Sequence, residues 1–361
     1  MSIEREERRV LRYIPAILLF GFVLALAACN SSGDPGPAGP AGPAGPAGPA
    51  GSAGAPGDSA SIDAANLTCT ECHDSGTLIV SKAAQMEELS VHGTGQAFLR
   101  GESGSCAGCH GSEGAEARIE AGLPPHDPSV EGVTNVSPYT CRTCHDIHET
   151  YTSADFSLTG DAQAVTMEYT GDTFDGGLGN LCSNCHQQRN EQPVAVNGEI
   201  ETGTTRFGPH HGTEAQMLLG SAALGVAGSA SPHYQLVENT CVGCHMGMGD
   251  GPENRDHTFE PDLANCQGCH ADLDTFDRNG VQTEIEEMLV EIRPLLIQAG
   301  ILDDELDPEG NRSVDGTFPE EVVNAMWNYM TVIEDQSMGV HNPAYTKAML
   351  EYALEVLQAA P

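Results

Sequence analysis

Twelve of the 13 cysteines stand in pairs two residues apart, and a histidine follows each pair. The pattern C-x-x-C-H occurs at Cys69, Cys72 and His73; at Cys106, Cys109 and His110; and at Cys141, Cys144 and His145. It returns at Cys182, Cys185 and His186; at Cys241, Cys244 and His245; and at Cys266, Cys269 and His270. Two thiols three positions apart can reach the two vinyl groups of one porphyrin. The histidine directly after them is then held beneath the iron as its proximal ligand. The chemistry expected is covalent attachment of six haem c groups. A disulfide framework has no use for a histidine after every pair, and zinc sites would leave the sixfold pentapeptide unexplained. Iron–sulfur runs of the form C-x-x-C-x-x-C are absent.

An iron with one histidine has a second axial position. A second histidine there gives a low-spin centre suited to electron transfer, whereas an open position admits substrate. Eight histidines lie outside the motifs: His92, His126, His148, His210, His211, His233, His257 and His341. Eight suffice for six irons. No C-x-x-C-K variant occurs.

The composition fits a chain that wraps cofactors. Aromatic residues make up 5% of the 361 residues, there is one tryptophan, Trp327, and 42 residues are glycine. Residues 61–275 scatter their apolar residues among Gly, Asp, Ser and Thr. Porphyrins would supply the apolar body that this segment lacks. Successive motif histidines are 37, 35, 41, 59 and 25 positions apart, too uneven for a solenoid repeat. The expected fold is mostly irregular coil with short helices wrapped around a haem array, a small C-terminal helical bundle, and little β-structure. Net charge is −37. Such a surface repels nucleic acid and anionic lipid and favours basic partners or cations, and it also reads simply as a solvated acidic coat.

Four segments are expected. Residues 1–28 have an arginine-rich start and an apolar run, Ile14 to Ala28, that is short for a membrane span. They read as an export signal. Its end, Leu26-Ala27-Ala28-Cys29, resembles the lipobox of bacterial lipoproteins, which implies that Cys29 carries lipid. Residues 29–60 hold the lipid-anchor cysteine and a low-complexity run with glycine at every third position, nine times from Gly33 to Gly57. A stiff polyproline-II spacer of roughly 80 Å is the plainer reading of this collagen period, and a trimeric stalk is the other. Residues 61–275 carry the haem motifs. Residues 276–361 carry three helical patterns: one over Val281–Ala299 interrupted by Pro294, one opened by Pro319, and one with Asn342 and Pro343 at its N-cap and first turn.

Residues of about 69–358 resemble bacterial multihaem c-type cytochromes of the periplasm and outer surface. The resemblance rests on the motifs and on shorter stretches: Cys144-His145-Asp146-Ile147-His148, Val91-His92-Gly93, Pro209-His210-His211-Gly212, Ser231-Pro232-His233, His257-Thr258-Phe259-Glu260-Pro261-Asp262, and His341-Asn342-Pro343-Ala344-Tyr345. It implies distal iron ligation by His92, His148, His211, His233, His257 and His341. His126, in Pro124-Pro125-His126, has no such match, and His210 competes with its neighbour His211. The implied function is extracytoplasmic electron transfer in anaerobic or extracellular respiration, by a carrier rather than an enzyme. The expected partners are donor and acceptor cytochromes or metal oxides, with no nucleic acid, and with the outer membrane reached through the lipid anchor only. A trimer through the stalk, or stacked haem domains, is compatible with this. The alternative is a reductase of a small nitrogen or sulfur oxyanion that uses one open haem.

Overall fold

The computed structural model describes residues 69–74, 77–247, 255–303 and 312–359. The export signal, Cys29, the collagen-like run and the Cys72 side chain lie outside the described residues.

The segment carrying the motifs is mostly coil punctuated by helices of one or two turns, with little strand. A two-residue antiparallel pair joins β1 (Val165–Thr166) to β2 (Thr173–Phe174). The most regular helix before residue 281 is Ser112–Glu120. Glycines and polar residues leave this region few apolar faces to pack. Its largest buried apolar group is Met167, Phe174, Ala215 and Leu218.

Three long helices follow: α1 (Val281–Gln298), α2 (Glu320–Asp335) and α3 (Pro343–Ala359). Their boundaries follow from local chemistry. Asp277 accepts hydrogen bonds from the backbone N–H groups of Gln282 and Thr283 and from the Thr283 hydroxyl. It thereby satisfies donors that the first turn of α1 leaves free. Gly300 ends α1 in the left-handed conformation, with φ +74°. Pro294 lies inside α1, and the helix continues through it. Pro319 precedes α2, and Pro343 opens α3.

Apolar residues at helical spacing bury one face of α1 and of α3, whereas α2 is buried on nearly all sides. Ile285, Leu289, Ile292 and Leu296 meet Val323, Met326, Met330, Met349, Leu350 and Ala353. Trp327 is 1% exposed. The core extends into the motif-bearing segment. Ile200, Met217 and Ala222 lie in it, and β3 (Glu199–Glu201) pairs antiparallel with β4 (Thr317–Pro319). Trp327 donates its indole N–H to the Ala222 carbonyl, and the Tyr345 hydroxyl accepts from Ala223 N–H. Asn342 sits one residue before α3, and its carbonyl accepts from Thr346 N–H. Its side chain does not cap the helix; it donates to the carbonyls of Met217 and Ser229. Among the described residues no helix is long and apolar enough to cross a membrane.

Candidate haem-binding site

The motifs fold as single helical turns. His110 N–H donates to Cys106 O, His145 to Cys141, His186 to Cys182 and His270 to Cys266, each at 2.9 Å. In such a turn residues i and i+3 share a face, so in the second to sixth motifs both thiols point one way and the histidine follows on the next step.

Five motif histidines face a second histidine. Ring centroids are 6.1 Å apart for His73 and His148, 6.1 Å for His186 and His92, and 6.4 Å for His145 and His257. They are 6.3 Å apart for His270 with His233 and for His245 with His341. Two imidazoles bound at about 2 Å on opposite sides of one metal place their centroids roughly 6 Å apart. The donor set therefore fits an iron between the members of each pair, and five of the six expected distal histidines occupy such positions.

His110 is the remaining motif histidine. His211, and also His210, lie close enough to His110 to interact with it electrostatically. Four polar contacts separate the candidates. His211 Nδ1 is 2.5 Å from Glu334 Oε2, which turns Nε2 away from the carboxylate. His210 Nε2 is 3.1 Å from Arg189 Nη1. His126 Nε2 accepts from Arg189 Nε at 3.0 Å, and its Nδ1 is 2.7 Å from Glu168. The coordinating nitrogens of His126 and His210 are thus engaged by one guanidinium, while that of His211 is not so engaged.

Most of these imidazoles are oriented through Nδ1, which directs Nε2 at the partner ring. His145 Nδ1 lies 2.9 Å from Phe156 O, His245 Nδ1 2.9 Å from Phe259 O, His257 Nδ1 3.1 Å from Arg255 O, and His233 Nδ1 2.7 Å from Val340 O. His186 Nδ1 is 3.4 Å from Glu214 and His341 Nδ1 2.6 Å from Asp335. The Glu214 carboxylate lifts His186 to about 9. Burial opposes protonation of His341, but Asp335 prevails and holds it at about 9. His92 sits edge-on to Tyr139 and Phe259. Burial first, and then His186, pull it down to about 4.

Backbone strain is held at two of these histidines. His148 has φ +71° and His210 φ +67°, conformations that non-glycine residues seldom adopt. Asp155 fixes the first of them: its carboxylate accepts from the N–H groups of His148, Thr150 and Tyr151. The glycines after His92 and His211 have steric reasons. A Cβ at Gly93 would stand 2.3 Å from Met86 O, and Gly212 has φ +91°.

Neighbouring motifs touch. The Cys109 and Cys185 sulfurs lie close enough to interact, as do those of Cys182 and Cys241. Arg118, 1% exposed, ties the second motif to the fourth: it donates to Gly108 O at 2.6 Å and to Asn184 O at 3.0 Å. Asn265 donates to Cys244 O at 3.0 Å, joining the fifth and sixth. The first and third share the tetrapeptide His145–His148. Glu214, Glu334, Asp335, Asp155 and Arg118 were not among the residues expected from the sequence. Two adjacent acids in the last turn of a helix, against its dipole, were the one available signal, and it marks Glu334 and Asp335.

Residues 61–157 match the sequence profile of the cytochrome c3 family. That stretch holds the first three motifs, and the same attachment pattern continues through the sixth. The chain is a multihaem c-type cytochrome. No curated protein matches the sequence of this cytochrome closely enough to count as a relative. Among solved structures it is similar to the outer cell wall cytochrome OcwA, with 22% identity, a TM-score of 0.43, and coverage of 77% of this chain and 48% of that one. It is also similar to an undecahaem cytochrome from the S-layer of Carboxydothermus ferrireducens, with 17% identity, a TM-score of 0.45, and coverage of 76% and 40%. Cytochrome c nitrite reductase from Desulfovibrio desulfuricans is similar with 13% identity, a TM-score of 0.41, and coverage of 77% and 69%. The cytochrome thus spans about half the length of the first of these chains and two fifths of the second.

Proposed function

We propose that this cytochrome is an extracytoplasmic electron conduit with six haem c groups, each held by two histidines. The observation that carries this reading is the set of five histidine pairs at 6.1–6.4 Å, with His110 and His211 as the sixth. The pairing is His73 with His148, His110 with His211, His145 with His257, His186 with His92, His245 with His341, and His270 with His233. Haem c, once attached, supplies a one-electron iron couple. The chain's own residues do the rest: the thiols fix each ring, the paired imidazoles keep added ligands off the metal, and the contacts between motifs keep neighbours close.

Those contacts run from the first motif to the third through His145–His148. They run from the fourth to the fifth through Cys182 and Cys241, and from the fifth to the sixth through Asn265. The second motif branches at the fourth through Cys109, Cys185 and Arg118. Phe259 supports the fourth-to-fifth link, because its carbonyl orients His245 while its ring lies 4.9 Å from that of His92. Cys144 and Cys185 lie close enough to interact, joining the third motif to the fourth. The order of electron passage that this adjacency favours is first, third, fourth, fifth, sixth. A lipid on Cys29 and the Gly-Pro-Ala run would tether the conduit to the outer membrane. The charge of −37 suits a basic redox partner or a metal oxide.

One observation favours a second reading, reduction of a small oxyanion. Arg189 lies beside His110, and its guanidinium would suit an anion at an open iron there. Visible and EPR spectra of the oxidised protein, with and without cyanide, separate the two readings. The conduit predicts no spectral response to cyanide. A response limited to one haem, abolished by Arg189→Ala, would replace it with the reductase.

A further inference from the structure

The imidazoles fall into two groups by what holds Nδ1. Backbone carbonyls hold His145, His257, His233 and His245. Carboxylates hold three others: Glu214 on His186 at 3.4 Å, Glu334 on His211 at 2.5 Å and Asp335 on His341 at 2.6 Å. The Asp335 side chain is fully buried and Glu334 is 9% exposed at its side chain. Oε2 of Glu214 is shielded from solvent without a hydrogen bond. Ser337 donates to the second oxygen of Asp335. Glu334 and Asp335 close α2, where the helix dipole disfavours carboxylates, and each is compensated by a histidine N–H.

A carboxylate that accepts Nδ1–H draws the proton towards itself and leaves the ring more anionic. Such a ring is a stronger donor to iron, and it stabilises the ferric over the ferrous state. A neutral carbonyl does this less. The three carboxylate-held histidines belong to the second, fourth and fifth motifs, which are contiguous through Cys109–Cys185 and Cys182–Cys241. Arg118 and Arg189 lie beside the second and fourth motifs and oppose the effect there. Asp335 is fully buried and acts on the fifth.

We infer that Glu214, Glu334 and Asp335 are positioning residues that make the second, fourth and fifth haem sites the low-potential section of the array, with the fifth lowest. The third site, whose two histidines both face carbonyls, is of higher potential. An electron entering at either end of the chain of motifs therefore meets a step upward in energy at the centre. The inference rests on the proposed bis-histidine pairing.

The test is a redox titration of the haem-loaded full chain, followed by visible absorption and EPR, for the native protein and for Asp335→Asn, Glu334→Gln and Glu214→Gln. Asp277→Asn, at the half-buried acid that caps α1, is the control for bulk charge, since asparagine can keep the cap. The expected result is that the iron stays low-spin in every variant and that each of the three moves one step of the titration to higher potential, Asp335→Asn moving the lowest step. Asp335→Glu, which keeps the carboxylate, should restore it. Low-spin iron with unmoved steps, or an equal movement in Asp277→Asn, overturns the inference and leaves the pairing intact. High-spin iron at one site in the native protein would instead contradict the pairing at that site.

Discussion

At the scale of single residues, the distal histidines are distinguished by how each ring is held. His148 stands in a left-handed conformation that the Asp155 carboxylate enforces through three backbone N–H groups. Asp155→Ala should release that turn and convert about one sixth of the iron to a high-spin form, readable by EPR, with a loss similar to that in His148→Ala. His126→Ala should leave the low-spin content unchanged, because its Nε2 already accepts from Arg189. The proposed proximal residues stand out in the sequence because covalent attachment to haem would demand both thiols and the histidine at fixed spacing. The distal ones were only partly legible. Iron can draw its second ligand from any distance along the chain, so spacing carries no signal, and short stretches such as His-Gly had to stand in for it. Of the orienting carboxylates, Glu334 and Asp335 were marked only by their place at the end of a helix, and the pairing itself was hidden, since His211 and Glu334 are 123 positions apart.

At the scale of elements, the three long helices do more than close the chain. The end of α2 orients His211 and His341, and the turn between α2 and α3 supplies the Val340 carbonyl to His233. Asn342 fastens this turn to the motif-bearing segment through Met217 O and Ser229 O, at 3.0 and 2.9 Å, and is 3% exposed. Asn342→Ala would remove both hydrogen bonds, leaving Met217 O with Gly220 N–H as its remaining donor. It should lower stability by about 1–3 kcal/mol, measured by denaturant unfolding of the haem-loaded protein. Trp327→Ala should cost about 3–5 kcal/mol in the same measurement. The helices themselves were readable from periodic apolar residues and from Pro319, Pro343 and Gly300. The role of the Asn342 side chain was not, since a cap and a tertiary tether use the same amide.

At the scale of the whole molecule, two kinds of core coexist. The long helices bury a large apolar cluster of their own, whereas the motif-bearing segment buries few large apolar side chains besides Met167 and Phe174. Replacing the twelve motif cysteines by alanine should abolish hydrogen-exchange protection over residues 77–190 while α1, α2 and α3 keep part of theirs. Retained protection in both would show that the segment does not depend on its cofactors. The charge of −37 acts over the whole surface. A small cationic reductant should reduce the protein faster than an anionic one of equal potential, and the gap should narrow as salt shortens the screening length to about 10 Å at 0.1 M.

The paired histidines are the centre of the account, and integrated EPR of the oxidised, haem-loaded protein tests them most directly. Six low-spin irons per chain, with no change on adding cyanide or nitrite, is the predicted result. About one sixth of the iron in a high-spin form that binds added ligand would contradict it, and would turn attention to His110 and to Arg189 beside it.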